Sequence, residues 1–232
     1  MQSYLSIQMH TPKKDGLNMR GENKKPDLTS IMVATHDMRF SPIFWNEFES
    51  LAQIKNSKKI NLLDLGTGPG LFLRDINKHY PQIFAVGVDE SSAMVNYARS
   101  LKLPKEKIRF YKKDISTKSL NIKGKPFKFI TMNFVFHHLP SPLNLMHNLK
   151  NGLLAKNGCL IIYDWVRTTL EEYIEFHKLM GREMPEDTAF EMFSEHGKYT
   201  SEDLVWLFKR EGFKMKEEKA ITNLHHLFLF TR

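Results

Sequence analysis

The chain has 232 residues, 41% of them hydrophobic and 26% charged, which is enough for one full-sized core and unlike a globally disordered chain. No stretch approaches the roughly 20 apolar residues of a membrane span, and the start, MQSYLSIQMHTPKKDG, lacks the apolar region of a secretory signal. The single cysteine, Cys159, excludes an intramolecular disulfide and a cysteine-rich zinc site. We therefore expect a soluble, cytoplasmic protein without a metal centre.

The net charge of +8 is concentrated in one part of the sequence. Between Lys102 and Lys128, ten basic residues stand against two acidic ones, and the rest of the chain is balanced. Such a segment is typical of a surface that binds nucleic acid or an acidic partner. It is also typical of a sheet edge that lysines protect against pairing with other chains. Few aromatic residues interleave with the lysines, as base stacking requires, and this favours the protected edge.

In chain order, residues 1 to about 30 are polar and turn-rich and are predicted to form a flexible N-terminal arm. The remainder, 31–232, is predicted to be a single domain. It opens with a helix, PIFWNEFESLAQI, for which Ser41 and Pro42 supply the N-cap and first turn. Five strands are then predicted from the apolar runs INLLDL, IFAVGV, IRFY, FKFITMNF and GCLIIYDW.

Helical segments alternate with these strands: LFLRDINKHY, SAMVNYARSL capped by Ser91, and PLNLMHNLKNGLL opened by Ser141 and Pro142. Continuous apolar strands are covered on both faces, and strands that alternate with helices form parallel sheets. An insertion at about 168–200 is predicted to be a helical, lid-like element.

The end of the chain differs from this alternation. The helix SEDLVWLFKR, with a capping box between Thr200 and Asp203, is followed by FKMKEEKAI and LHHLFLF. Too few residues separate these two runs for a crossover, so they predict an antiparallel hairpin. The predicted fold class is α/β, a doubly wound, mostly parallel seven-stranded sheet with a C-terminal antiparallel hairpin.

The segment LLDLGTGPG, from Leu62 to Gly70, lies between the first strand and its helix. In open α/β sheets, ligands bind beyond the carboxyl ends of the strands. No G-x-x-x-x-G-K-[ST] phosphate loop is present, and a dinucleotide G-x-G-x-x-G motif would need a glycine at Leu71. A carboxylate at Asp64, two residues before the first glycine, suits an ammonium group better than a pyrophosphate.

LLDLGTGPG resembles motif I, D/E-x-G-x-G-x-G, of the class I S-adenosylmethionine-dependent methyltransferases. VGVDESSAM, FYKKDI, FITMNFVFHHL and LKNGLLAKNGCLIIYDW resemble the later motifs of that family in order. The resemblance implies the Rossmann-like methyltransferase fold, the cofactor S-adenosyl-L-methionine, ribose binding by Asp89, and adenine binding by Asp114 and Ile115. Met94 either covers the adenine or belongs to the core. The implied cofactor-binding residues are Asp64, Gly66, Thr67, Gly68, Gly70, Asp89, Glu90, Met94, Asp114, Ile115 and Asn133.

Methyl transfer from a sulfonium relies on proximity and orientation, and it needs a general base only where the nucleophile must lose a proton. MNFVFHH replaces the Asn/Asp-Pro-Pro-Tyr motif of the family's amino-group methyltransferases, and Cys159 lies inside a strand. FHHL is common in the family's small-molecule branch. His137 and His138 are therefore candidate catalytic residues, one as a base; the alternative is local packing and hydrogen bonding.

Two segments are predicted to reach the acceptor. YDWVR places Tyr163, Asp164, Trp165 and Arg167 at the pocket mouth, with Trp165 as an apolar wall and Arg167 as an anion anchor. ATHDMRFSPIFW brings His36 and Arg39 close to the first helix. The aromatic insertion would close the pocket, although such stripes also occur in plain cores.

The expected function is S-adenosylmethionine-dependent methyl transfer to a small-molecule acceptor by in-line displacement. Two alternatives remain open. One is an RNA or protein methyltransferase that docks through Lys102–Lys128, and the other is a non-catalytic, cofactor-binding partner subunit.

Overall fold

A seven-stranded sheet with the order β3-β2-β1-β4-β5-β7-β6 runs through the part of the chain that the computed structural model describes, residues 27–54, 60–182 and 184–232. Strands β1 to β5 pair in parallel, and β7 is antiparallel to both β5 and β6. The predicted fold class and terminal hairpin are confirmed. The strands are β1 Ile60–Leu65, β2 Ile83–Asp89, β3 Ile108–Lys112, β4 Phe127–Asn133, β5 Leu154–Trp165, β6 Lys214–Ala220 and β7 His225–Thr231.

Helices cover both faces of the sheet. In one core, helices α3 to α5 pack against strand residues such as Leu62. In the second core, α6 and α9 pack against the strand residues that alternate with these, such as Leu63. Ser41, Ser91 and Thr200 cap their helices as predicted. The helices are α1 Leu28–Ala34, α2 His36–Arg39, α3 Pro42–Ala52, α4 Leu71–His79, α5 Ser92–Ser100, α6 Leu143–Asn148, α7 Leu170–Leu179, α8 Glu186–His196 and α9 Ser201–Arg210.

The structure differs from the predicted boundaries in three places. Helix α6 begins without a side-chain cap and gives way at Leu149–Leu153 to a π-helical turn. Strand β5 then starts at Leu154, earlier than predicted, because the buried Leu153 and Leu154 already join the core. Most of the predicted arm, residues 1–26, lies outside the described residues, whereas α1 is a helix capped by Asp27.

Strand β3 is one edge of the sheet, and it runs through the basic segment. Its Arg109 and Lys112 are exposed, as a protected edge requires. Helices α7 and α8 fall within the predicted lid-like insertion. None of the helices in the described ranges is both long and apolar enough to cross a membrane.

Candidate active site

The glycine loop joins β1 to α4 and is tied to the end of β2. The backbone N–H groups of Gly66 and Thr67 donate to the carbonyl of Val88 at 2.9 Å each, and the N–H of Gly68 donates to Asp89 Oδ2 at 2.8 Å. Gly66 has φ +70°, and a Cβ there would lie 2.4 Å from Val135. Only glycine fits this turn. Gly70 ends the loop as the N-cap residue of α4.

Asp64 is a buried carboxylate in β1. Its Oδ1 accepts hydrogen bonds from Thr131 Oγ1 at 2.7 Å and Asn133 Nδ2 at 3.1 Å, and Asn133 Oδ1 is buried without a partner. Burial raises the pKa of Asp64 to about 6, although the hydrogen bonds from Thr131 and Asn133 oppose that rise. Within the described residues, no basic side chain forms an ion pair with Asp64. The site therefore holds an anionic position that lacks a cation.

Asp89 lies at the carboxyl end of β2, beside the glycine loop. Its Oδ1 accepts from the N–H of Ser91 at 2.9 Å, while Oδ2 is bound to the loop. On β3 its register partner is Lys112, two residues before the exposed Asp114. The remaining predicted residues at this edge are the exposed Glu90, Met94 buried on α5, and Ile115 buried after β3.

Arg39 lies across the glycine loop on α2. Its guanidinium donates to the carbonyl of Met32 at 2.7 Å and lies 5.6 Å over the ring of Phe134. Burial lowers the pKa of Arg39 to about 10, and no carboxylate of the described ranges lies within 4 Å of it. A cavity of about 20 Å³ separates Arg39 from Asp64 and Gly66. His36 lines the same cavity, but its Nε2 is paired with Asp75 at 2.6 Å.

Phe134 begins a cluster of rings beneath helices α7 and α8. It follows β4 with φ +55°, a strained conformation for a large side chain, and its N–H donates to the carbonyl of Tyr163 at 2.7 Å. Its ring is 4.6 Å from that of Tyr163, 5.2 Å from His225 and 6.3 Å from Trp165. The cluster thus starts beside Arg39 and extends to the ends of β5 and β7.

Trp165 is the centre of this ring cluster. Its ring centroid lies 4.1 Å from that of His225, 4.5 Å from His196 and 6.0 Å from His177. The buried His177 has no partner for either ring nitrogen, and the buried His225 has none for Nε2. Burial is the main reason that the pKa values of His225 and His196 fall to about 3, so these imidazoles are neutral at pH 7.

His137 lies at the far side of the cluster. Its Nδ1 is 2.5 Å from Asp164 Oδ1, and Asp164 also accepts from the backbone N–H groups of Phe136 and Trp165. Among ring pairs of the described residues, His137 contacts only those of His138 and His196. The side chain of His138 points outward, and its Nδ1 lies 3.6 Å from Glu195 Oε1.

Most of the site residues predicted from the sequence lie at the carboxyl ends of the strands, and Arg167 lies outside this group. Arg167 is exposed and its guanidinium lies 5.8 Å over Phe193 of α8. The sequence reasoning missed Phe134, His177 and His225. No spacing in the sequence marked them, because they come from the loop after β4, from α7 and from β7, and only the tertiary fold brings these elements together.

A protein-family model described as "Methyltransferase domain" matches residues 44–218. The chain is 30% identical over 118 residues to malonyl-[acyl-carrier protein] O-methyltransferase of Legionella pneumophila, covering 49% of this chain and 39% of that protein. It is 31% identical over 136 residues to juvenile hormone acid O-methyltransferase of Drosophila melanogaster (56% and 44%). For trans-aconitate 2-methyltransferase of Methylobacterium nodulans the identity is 32% over 132 residues (57% and 47%). The chain thus spans less than half the length of these relatives.

Solved structures share the fold. The plantazolicin methyltransferase BpumL in complex with SAH has a TM-score of 0.65 at 18% identity, covering 88% of this chain and 90% of that one. A SAM-dependent methyltransferase from Aquifex aeolicus has a TM-score of 0.58 at 19% identity, covering 85% and 96%. The architecture is therefore that of the class I methyltransferases, whose cofactor is S-adenosylmethionine. The chain belongs to the methyltransferase-domain family.

Proposed function

We propose that this chain transfers the methyl group of S-adenosylmethionine to a small-molecule acceptor held between the strand ends and the α7–α8 lid. One observation carries the proposal. The glycine loop, a buried carboxylate without a cation, and two buried imidazoles with unpaired ring nitrogens, His177 and His225, lie at the carboxyl ends of β1, β2, β4 and β5. Ligands of open α/β sheets bind at this edge.

The residues around the loop fit the cofactor. A Cβ on Gly68 would meet, within 4 Å, only the flexible end of Met32, so the backbone is open to a ligand. Each carboxylate oxygen of Asp89 accepts one N–H and keeps a lone pair for a ribose hydroxyl. Asp64 lacks a cation and Arg39 lacks an anion, and the cofactor's ammonium and carboxylate supply these two charges.

The adenine end extends toward β3. Asp114 lies on the loop that follows β3, next to the end of β2, with Ile115 buried beside it and Met94 on the facing helix. When bound, the cofactor supplies a sulfonium methyl group that is already activated for in-line displacement. The chain's own task is then to bind both molecules and orient them.

Entry of the cofactor requires movement of the α1–α2 segment. The cavity between Arg39 and the glycine loop is about 20 Å³, roughly the room for one water molecule. Met32 closes it, since its sulfur and carbonyl both accept from the Arg39 guanidinium. Displacing Met32 opens the loop and frees Arg39 for a ligand.

Two curated relatives are named for small molecules, juvenile hormone acid and trans-aconitate, and this supports a small-molecule acceptor here. The aromatic and imidazole lining beneath the lid is of the kind that binds such molecules. The basic segment is at the β3 edge of the sheet, whereas the ring cluster lies at β5 and β7, near the opposite edge. The cytoplasmic location stays a prediction.

Titration calorimetry with S-adenosylmethionine, S-adenosylhomocysteine and NAD tests the cofactor part of the proposal. We expect the first two to bind and NAD not to bind. The Asp89→Ala variant should bind more weakly, while Glu106→Ala, which removes an exposed acid remote from the loop, serves as the matched control. Binding of NAD together with no response to S-adenosylmethionine would refute the assignment.

A further inference from the structure

We propose that the acceptor is an organic acid whose carboxylate receives the methyl group, and that His177, His225 and Arg182 hold this carboxylate beneath the lid. The inference rests on the methyl transfer proposed above and names its substrate class.

Unpaired buried imidazoles are the first support. His177 is 2% exposed and neither of its ring nitrogens has a partner, and His225 is 7% exposed with Nε2 unpaired. Both rings flank Trp165. A buried polar group without a partner costs about 1–3 kcal/mol, so two such residues around one indole indicate a polar ligand.

The positive charge of Arg182 near the imidazoles favours an anionic ligand. Arg182 follows α7, and its backbone N–H donates to the backbone carbonyl of His177 at 2.8 Å. Arg182 is exposed, and its positive charge adds to burial in lowering the pKa values of His177 and Arg39. Within the described ranges no carboxylate lies within 4 Å of Arg182.

The acidic groups near the cluster are already engaged. Asp164 is fully buried and accepts from the His137 ring and from three backbone N–H groups. Glu195 points outward and lies beside His138. An acceptor carboxylate therefore meets the unpaired nitrogens of His177 and His225, with the positive charge of Arg182 nearby, and of the described acids neither Asp164 nor Glu195 is free to oppose it.

No strong base stands at the centre of the cluster. His225 and His196 are neutral, and an imidazole with a pKa of about 3 is a poor proton acceptor that still carries one N–H donor. Among the ring pairs of the described residues, His137, which Asp164 orients, contacts His196 and not Trp165, and its buried Nε2 is also without a partner. A hydroxyl or ammonium acceptor must lose a proton, whereas a carboxylate is already ionised at neutral pH.

The step balances without a base. One carboxylate oxygen forms a bond to the methyl carbon, the sulfur–carbon bond breaks, and its electron pair stays on sulfur as a neutral thioether. The products are a methyl ester and S-adenosylhomocysteine, and no proton is released. Methylation of a hydroxyl would release one proton per turnover.

The test uses the whole chain, methyl-labelled S-adenosylmethionine and a panel of C4–C12 mono- and dicarboxylic acids with their matched alcohols and amides. We expect label to enter acids alone, as product that mild alkali converts to methanol, without acidification in a pH-indicator assay. Base-stable product from an alcohol or amide would overturn the proposal. So would failure of every acid to react or bind while S-adenosylhomocysteine still binds, an outcome that leaves the cofactor assignment standing.

Two variants test the named residues on the acid that reacts best. Arg182→Gln should raise KM about tenfold or more with unchanged affinity for S-adenosylhomocysteine, and Arg210→Gln, a control at the end of α9, should not. His177→Phe should also raise KM, yet keep or increase stability, because it removes two unpaired buried nitrogens. Unchanged KM in both variants would contradict this carboxylate site.

Discussion

Replacing Asp64 by Asn should stabilise the protein while weakening cofactor binding. The folded-state pKa of about 6 lies above the ordinary value of 3.8, so the fold favours the protonated carboxyl and loses stability as pH rises from about 4 to 6. At 1.36 kcal/mol per pH unit, ionisation costs the fold about 3 kcal/mol at pH 7. Asn removes this cost. It also keeps both hydrogen bonds, because Thr131 and Asn133 donate to the same oxygen.

The cofactor should respond in the opposite direction. Without the negative charge at Asp64, the cofactor's ammonium loses a charged hydrogen bond, which costs about 1.5–3 kcal/mol of affinity. In the unmodified protein, affinity should fall about tenfold between pH 7 and 5 as Asp64 protonates. The Asp64→Asn variant should lack this pH dependence.

Urea denaturation at pH 7.5 and calorimetry with S-adenosylhomocysteine at pH 5 and 7 measure these effects. Glu106→Gln, which neutralises an exposed acid, is the control and should change neither quantity by more than about 0.5 kcal/mol. An Asp64→Asn protein that is less stable than the original, or that binds the cofactor equally well, would refute the reasoning.

Three further results are expected. Asp89→Ala should weaken S-adenosylhomocysteine binding by about 1.5–3 kcal/mol in calorimetry and leave the fold intact, and unchanged affinity would mean that other groups hold the ribose. Asp164→Ala should lower the free energy of unfolding by about 3 kcal/mol or more, because it leaves the buried His137 ring and three backbone N–H groups without their acceptor. Denaturant titration measures this, and a loss below about 1 kcal/mol would contradict it. The third change replaces four exposed lysines together by Gln, namely Lys112, Lys118, Lys123 and Lys125. Folding and methyl transfer should stay nearly intact. Loss of activity with normal cofactor binding would favour a polyanionic acceptor.

The sheet and the cofactor loop were predictable because their signals are local. Strand β1 matches its apolar run residue for residue, and the helices capped by Ser41, Ser91 and Thr200 begin where their sequences indicate. The spacing of the glycines after Asp64 matches the S-adenosylmethionine motif and neither the phosphate loop nor the dinucleotide motif. This signal lies within nine residues. Such features need only backbone sterics and hydrogen-bond chemistry.

The acceptor side was less predictable because its residues are distant in sequence. Asp164 was expected at the pocket mouth but is buried against His137, a contact between residues that are 27 positions apart in the sequence. Phe134 enters the cluster through a left-handed backbone conformation that its residue type disfavours. His225 reaches Trp165 only because β7 inserts between β5 and β6.

The most direct test of small-molecule methyl transfer follows the label from methyl-labelled S-adenosylmethionine in a cell extract from which the endogenous cofactor has been removed. After incubation with the protein, the extract is separated into RNA, protein and material below about 1 kDa. We predict that label accumulates in the small-molecule fraction and that Asp89→Ala lowers this accumulation. Label found in RNA or protein instead, or no transfer by a protein that binds the cofactor, would contradict the proposed function.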